Sequence, residues 1–134
     1  MKNLILVVDD YPAIADIAAE MLAGEGYCCR ALYDGAEAIR AIHSNEISAI
    51  VSDIDMPGVG GIELASHARK HCPRAKVLLM SGRETSESLA ATQGCEGCEF
   101  LAKPFGKREL LERVKSMMKG SDQCGGEDSS VPVS

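Results

Sequence analysis

Three aspartates and one lysine are the residues of this sequence best suited to chemistry, and each follows a short apolar run. Asp9 and Asp10 follow the first run, Asp53 follows a second and Lys103 follows a third. If these runs are strands of an open parallel sheet, their C-terminal ends meet at one crevice and bring the four side chains together. Grouped carboxylates raise one another's pKa and need a cation, and Mg²⁺ prefers hard oxygen ligands. The pattern therefore predicts a magnesium site with a lysine beside it.

The segments that must position these residues alternate between strand and helix patterns. Strands are predicted over residues 4–8, 27–32, 47–52, 77–80 and 100–102, and helices over residues 12–22, 35–42, 62–70, 86–91 and 107–119. The first helix has apolar residues at helical spacing, with Pro12 suited to its first turn and Gly24 to its end. Five strand–helix units with short connections predict an α/β fold, in which five helices cover both faces of a five-stranded parallel sheet.

Length and charge fit one domain of this kind. The 134 residues are enough for one core and too few for two ordinary domains, and the formal net charge is −6. An acidic chain without a basic cluster argues against a nucleic-acid partner. We expect the domain to cover residues 1–119, followed by a flexible, acidic, Gly/Ser-rich tail over residues 120–134. The N-terminal apolar run is too short for a signal peptide or a membrane span, so no membrane partner and a cytoplasmic location are expected.

Cysteines and histidines offer a second, weaker metal signal. Cys95 and Cys98 form a C-x-x-C pair, but no second pair completes a four-ligand zinc site. The six cysteines are therefore interpreted as reduced core or surface residues. His67 and His71 are one helical turn apart, and without a third ligand the histidines are interpreted as solvated.

Four motifs together resemble the receiver domain of two-component response regulators, the CheY-like family. They are VVDD at residues 7–10, SDIDMPG at 52–58, LMSG at 79–82 and FLAKPF at 100–105. Each motif alone is a weak signal, but all four occur in the expected order at the ends of predicted strands one, three, four and five. The resemblance covers residues 3–119 and implies a doubly wound, flavodoxin-like sheet with strand order 2-1-3-4-5.

The resemblance gives each acidic residue a role. Asp53 would be the phosphoacceptor, and its carboxylate would attack a phosphohistidine of a sensor histidine kinase or a phosphotransfer protein to form an acyl phosphate. Asp10 and Asp53 would bind Mg²⁺ directly, Asp9 would bind it through a water, and Asp55 would use its backbone carbonyl. The protein would be a regulatory phosphoacceptor in a phosphorelay rather than an enzyme with turnover.

The resemblance also implies how the phosphoryl group is held and released. Lys103 and Ser81 would contact phosphoryl oxygens, and the Lys103–Pro104 peptide would be cis. Asp55 and Arg83 would flank the path of the attacking water and tune dephosphorylation.

The expected output is a change of surface at one edge of the sheet. Ser81 and Phe100 would act as switch residues that respond to phosphorylation of Asp53. The face formed by the helix predicted over residues 86–91, the fifth strand and the last helix would then bind a downstream protein.

Alternatives remain for single residues and for the whole protein. Asp10 could be only a helix N-cap, Asp55 a turn residue and Lys103 a solvated charge. A haloacid dehalogenase-type phosphatase also uses a D-x-D motif such as that at residues 53–55. In such enzymes the motif follows the first strand and a cap covers the substrate, for which 134 residues leave no room. A degenerate receiver that acts as an unphosphorylated binding module would lack site residues that are all present here.

Overall fold

The fold is a five-stranded parallel sheet with helices on both faces. The computed structural model describes residues 4–44, 46–82 and 98–125, with side chains up to residue 118. The strands are β1 (Leu4–Val8), β2 (Cys28–Leu32), β3 (Ile47–Asp53), β4 (Lys76–Ser81) and β5 (Cys98–Ala102). The helices are α1 (Pro12–Ala23), α2 (Gly35–Ser44), α3 (Gly61–His71) and α4 (Lys107–Gly125). The sheet order β2-β1-β3-β4-β5 confirms the predicted flavodoxin-like topology.

Two apolar layers hold the helices against the sheet, because successive residues of a strand face opposite sides. One layer packs α1 and α4 on the sheet, and the other packs α2 and α3 on its opposite face. The first layer includes Ile5, Val7, Leu22, Leu110 and Val114, and the second includes Leu6, Val8, Ile42, Leu64 and Ala68. Each fully buried valine, leucine or isoleucine side chain contributes about 1.5–3 kcal/mol. These layers confirm the prediction that helices cover both faces.

Helix α1 begins as the sequence predicts and ends differently. Pro12 occupies its first turn after an extended Tyr11, where the missing N–H of proline has no cost. Gly24 keeps a right-handed backbone, and the chain instead turns at Gly26, whose φ is +99°. Glycine is favoured there because it adopts positive φ without strain from a Cβ. The prediction that Gly24 ends the helix holds for position, but the residue that reverses the chain is Gly26.

Two predicted segments differ from, or lie outside, the described structure. The helix predicted over residues 86–91 lies outside the described residues. Helix α4 continues to Gly125, six residues beyond its predicted end at residue 119. The boundary between the domain and the tail stays a prediction. Among the described residues, no helix is long and apolar enough to cross a membrane.

Candidate functional site

Strand register brings the predicted site residues together at the C-terminal edge of the sheet. The pairs that set this register are Val8–Ser52, Asp53–Met80 and Ser81–Ala102. Asp9 therefore comes directly after β1, beside the end of β3. Lys103 comes directly after Ala102, the residue that pairs with Ser81. The backbone N–H of Lys103 donates to the carbonyl of Ser81 at 2.7 Å. The crevice predicted from separate strand ends is thus present.

Three carboxylates form the centre of the site. One oxygen from each of Asp9, Asp10 and Asp53 lies within 4.8 Å of the others. Asp9 is fully buried and Asp53 is 6% exposed, whereas Asp10 is partly exposed. The N-cap of α1 is Tyr11, so the alternative that Asp10 merely caps this helix is wrong. Buried acids of this kind are rare unless they are paired or bind a cation.

Lys103 lies between the two buried aspartates. Its Nζ is 2.7 Å from Asp9 Oδ2 and 3.2 Å from Asp53 Oδ1. The other oxygen of Asp9, Oδ1, accepts the backbone N–H of Tyr11 at 3.0 Å. Both oxygens of Asp9 are thus engaged by the protein. The alternative that Lys103 is a solvated charge is wrong, because its side chain is only 16% exposed and pairs with two acids.

Burial sets the electrostatics of the site. Desolvation raises the pKa of Asp53 to about 6, Lys103 opposes this rise, and Asp9 and Asp10 add to it. Desolvation alone would lower the pKa of Lys103, but the hydrogen bond to Asp9 and the charge of Asp53 outweigh it and raise that pKa. The lysine is therefore a fixed cation, and the negative charge of Asp53 is only partly compensated. Such a carboxylate favours a second cation or reaction at its oxygen.

Glycines hold the loop after β3 close to Asp53. A Cβ on Gly61 would lie 2.4 Å from the carbonyl oxygen of Asp53, and one on Gly60 would lie 2.9 Å from that of Ile54. The backbone N–H of Gly61 donates to the Ile54 carbonyl at 3.1 Å. Gly58, in the connection between β3 and α3, has a φ of +76°. The first turn of α3 can approach the end of β3 only because side chains are missing here.

The remaining predicted site residues lie in different surroundings. Ser81 is fully buried at the end of β4, next to the acidic centre in strand order. Asp55 is exposed, and its carboxylate is not part of the three-carboxylate cluster. The Lys103–Pro104 peptide is cis, as predicted. Phe100 is partly buried against the layer formed by α2 and α3. Arg83 lies outside the described residues, so its pairing with Asp55 stays a prediction.

A cluster of three histidines, which the sequence did not predict, lies where the C-terminal ends of α2 and α3 meet. His43 of α2 joins His67 and His71 of α3, and one ring nitrogen from each lies within 4.8 Å of the others. The interpretation that no third ligand accompanies the α3 pair was wrong. No sequence signal pointed to His43, because its approach depends on how α2 and α3 pack. Within the described residues, four cysteines are in no disulfide: Cys28, Cys29, Cys72 and Cys98.

Comparisons with known proteins agree with this geometry. The family model described as response regulator receiver domain matches residues 5–115. Response regulator MprA from Mycobacterium sp. (strain KMS) is 30% identical over 129 residues, which are 96% of this chain and 56% of that protein. MprA from Mycolicibacterium vanbaalenii is 30% identical over 136 residues, covering 100% of this chain and 59% of that protein. The chain thus spans a little over half the length of these two relatives.

Solved structures match over nearly their whole length. A CheY-like receiver domain protein from Methanospirillum hungatei has a TM-score of 0.85 and 27% identity, over 92% of this chain and 98% of that one. The response regulator TrrA from Thermotoga maritima, solved in complex with Mg²⁺ and beryllofluoride, has a TM-score of 0.75 and 35% identity, over 87% and 99%. The family match, the sheet order and the acidic crevice lead to one conclusion: this chain belongs to the response regulator receiver domain family of two-component signalling.

Proposed function

We propose that this chain accepts a phosphoryl group on Asp53 from a histidine kinase or a phosphotransfer protein. An Asp53 oxygen attacks phosphorus, the P–N bond of the phosphohistidine breaks, and the departing imidazole nitrogen takes up a proton. The observation that carries the proposal is a nearly buried carboxylate held between one lysine and two further acids. The pKa of about 6 leaves Asp53 ionised and nucleophilic at neutral pH.

The donor set of the crevice fits Mg²⁺. Three carboxylates and one ammonium group leave an excess of two negative charges when all are ionised. The three carboxylates are hard oxygen donors of the type that Mg²⁺ prefers. Asp10 and Asp53 would hold the ion directly. Asp9 would act through water, because Tyr11 N–H and Lys103 already engage its two oxygens. When bound, the ion offsets the repulsion between an anionic nucleophile and an anionic phosphoryl group.

Lys103 and Ser81 complete the proposed phosphoryl site. The Lys103 ammonium is within 3.2 Å of the Asp53 oxygen, so a small side-chain rotation would carry it from Asp9 to an oxygen of the new phosphoryl group. Ser81 ends the strand next to β3 and supplies a hydroxyl at the same edge of the sheet. A donor aimed at the developing charge is usually worth more inside a buried site than in water. Asp55 would contribute its backbone carbonyl to the metal.

Receiver domains of response regulators are a regulatory family. In this proposal the only reactions of the chain are its own phosphorylation and dephosphorylation. Nothing in the comparisons favours the dehalogenase-type phosphatase, and Asp53 is the last residue of β3 rather than a residue after the first strand. A degenerate, unphosphorylated receiver is also disfavoured, because Asp9, Asp10, Asp53 and Lys103 form one cluster.

The downstream partner is proposed to bind beside β5 and α4. The absence of a nucleic-acid partner is not supported, since the MprA relatives are much longer than this chain. The cytoplasmic location stays a prediction.

Mass spectrometry of the intact protein tests the phosphoacceptor. With Mg²⁺ and acetyl phosphate, we expect the chain to gain one phosphoryl group and Asp53→Asn to gain none, because an amide is not a nucleophile. Asp55→Asn is the matched control, since its side chain is exposed and outside the cluster, and it should label fully. Full labelling of Asp53→Asn would contradict the assignment. Steady turnover of p-nitrophenyl phosphate above about 1 s⁻¹ would indicate a phosphatase instead.

A further inference from the structure

The histidine cluster is separate from the proposed phosphoacceptor site. It lies where α2 and α3 end side by side. His43 is in the last turn of α2, and His67 and His71 are one turn apart at the end of α3. Residues four apart on a helix share a face, so both α3 rings point the same way. The ring centres of His43 and His71 are 4.1 Å apart, and those of His67 and His71 are 6.1 Å apart.

Packing of α2 on α3 fixes this meeting point. Ile42 and Ala68, the neighbours in sequence of His43 and His67, are buried in the same apolar layer. The thiol of Cys72, directly after α3, lies 3.7 Å from the carbonyl oxygen of Ile42. The two helix ends are therefore held together by core contacts that do not involve the imidazoles. The histidine side chains are therefore not needed to bring the two helix ends together.

One ring nitrogen of the cluster is buried without a hydrogen-bond partner. His67 Nδ1 is buried and has no hydrogen-bond partner in the described part of the chain. Buried polar atoms without a partner are uncommon and usually have a specific explanation, such as an ion. His43 and His71 are exposed, so the cluster is open to solvent on one side. An ion can therefore reach a nitrogen that the protein leaves unsatisfied.

Charge argues for a metal ion rather than for three protonated histidines. Positive charge is favourable at a helix C-terminus, and α2 and α3 both end in this cluster. Three imidazolium groups within a few ångströms would repel one another. Desolvation, followed by the charges of His43, His67 and Lys70, lowers the pKa of His71. Neutral imidazoles around a divalent cation would place positive charge at both helix ends without this repulsion.

We propose that His43, His67 and His71 form a zinc site that joins the ends of α2 and α3. Three imidazoles with a fourth position open to water match a common zinc coordination, and imidazole ligands do not suit Mg²⁺. With Zn–N bonds of 2.0–2.1 Å, a tetrahedral site needs nitrogen atoms about 3.4 Å apart. The nitrogens already lie within 4.8 Å, and the two exposed rings can close this difference by rotation. The site is separate from the carboxylate cluster and independent of phosphorylation.

Zinc titration of the full chain by calorimetry tests the site. The chain is first treated with a chelator, kept reduced, and supplied with excess Mg²⁺ to occupy the carboxylates. We expect one zinc ion per chain and a rise in Tm when zinc is added, because a ligand that binds only the folded state stabilises it. His43→Gln and His71→Gln should each weaken zinc binding at least tenfold. Both residues are exposed, so the variants should fold normally, which circular dichroism can verify.

Two control variants separate this site from the other metal-binding groups of the chain. Asp53→Asn alters the carboxylate cluster, and the double variant Cys95→Ser/Cys98→Ser removes the C-x-x-C pair. Both should bind zinc as the unmodified chain does. In ¹⁵N spectra, the imidazole signals of all three histidines should shift together on zinc addition. Undiminished binding in the two histidine variants, one zinc ion per two chains, or no binding at 100 µM zinc would each overturn the proposal.

Discussion

Lys103 gives the resting site a cation of its own. Its ammonium group bridges the buried carboxylates of Asp9 and Asp53. This ion pairing offsets part of the negative charge of the two buried acids, yet Asp53 keeps a raised pKa. Ionised Asp53 is therefore less favourable in the folded chain than in the unfolded one. Burial of an ionised Asp53 is therefore expected to lower the stability of the protein at neutral pH.

Asp53→Asn should stabilise the metal-free protein at pH 8. The folded-state pKa is raised from 3.8 to about 6, so the folded state binds a proton more readily than the unfolded state between these values. The stability due to the protonated form is lost as pH rises through this window. Asparagine removes the buried charge and leaves Lys103 paired with Asp9. We expect a gain of roughly 1 kcal/mol in the free energy of unfolding, measured by urea denaturation.

The pH dependence of this gain is its internal control. The difference between Asp53→Asn and the unmodified chain should shrink as pH falls below about 6, because the native carboxyl then becomes neutral too. Asp55→Asn should change stability little at either pH, since that side chain is exposed. A destabilised Asp53→Asn at pH 8 would mean that the pairing with Lys103 outweighs the cost of burying the charge.

At the scale of elements, the close approach of α3 to the end of β3 positions Asp53. This approach depends on Gly61, which lies against the Asp53 carbonyl. Strand register places Asp53 along the sheet, and the glycine contact sets the course of the chain directly after it. A sequence motif can single out Asp53, but the closeness of this contact is visible only in the folded chain.

Gly61→Ala should destabilise the protein and weaken Mg²⁺ binding. Its Cβ would come within 2.4 Å of the Asp53 carbonyl oxygen, so either the loop or the strand end must move. Overpacking of this kind costs about 1–3 kcal/mol. Gly106→Ala is the matched control, because nothing lies within 4 Å of the corresponding Cβ, and its effect should stay within about 0.5 kcal/mol. Urea denaturation and Mg²⁺ titration measure both effects; equal behaviour of the two variants would contradict this role of Gly61.

At the scale of the molecule, the edge formed by β5 and α4 is the expected output surface. Arg113 of α4 donates to the carbonyl oxygen of Phe100 at 2.6 Å and lies 3.7 Å from the Glu99 carboxylate. Phe100 is only partly buried, so its ring has room to become more buried. Burying an exposed ring fully contributes about 1.5–3 kcal/mol, which is enough to bias two arrangements of this edge.

Beryllofluoride should therefore shift amide signals well beyond the crevice. In ¹⁵N spectra recorded with Mg²⁺, we expect changes at Phe100, at Arg113 and over residues 89–93, in addition to those at Asp53. Asp53→Asn should show none of them, since the mimic is expected to bind the Asp53 carboxylate. If the changes stop at the carboxylates and Lys103, Phe100 is a fixed core residue and the output surface lies elsewhere.

Features that depend on a short stretch of sequence could be predicted, whereas features that depend on packing between distant elements could not. The strands and the residues that end them follow from apolar runs, so Asp9, Asp53 and Lys103 could be placed at one edge in advance. The meeting of His43 with α3 could not, because it arises from packing between two helices that share an apolar layer. The pairing of Lys103 with Asp9 was also missed, since the motif suggests only a contact with the phosphoryl group. Helix α4 continues past residue 119 into a segment whose composition resembles a tail.

The bridging position of Lys103 also determines how metal and phosphate affect each other. Among the described residues, its ammonium group supplies the positive charge that pairs with the cluster, whereas the proposed phosphorylation of Asp53 would replace one negative charge with a group of up to two. The phosphorylated crevice therefore carries more uncompensated charge and should hold Mg²⁺ more tightly than the resting crevice. By thermodynamic reciprocity, Mg²⁺ must favour the phosphorylated state by the same factor. Cellular magnesium would then be a second input to the switch, because its concentration shifts the balance between the two states at a given supply of phosphoryl donor.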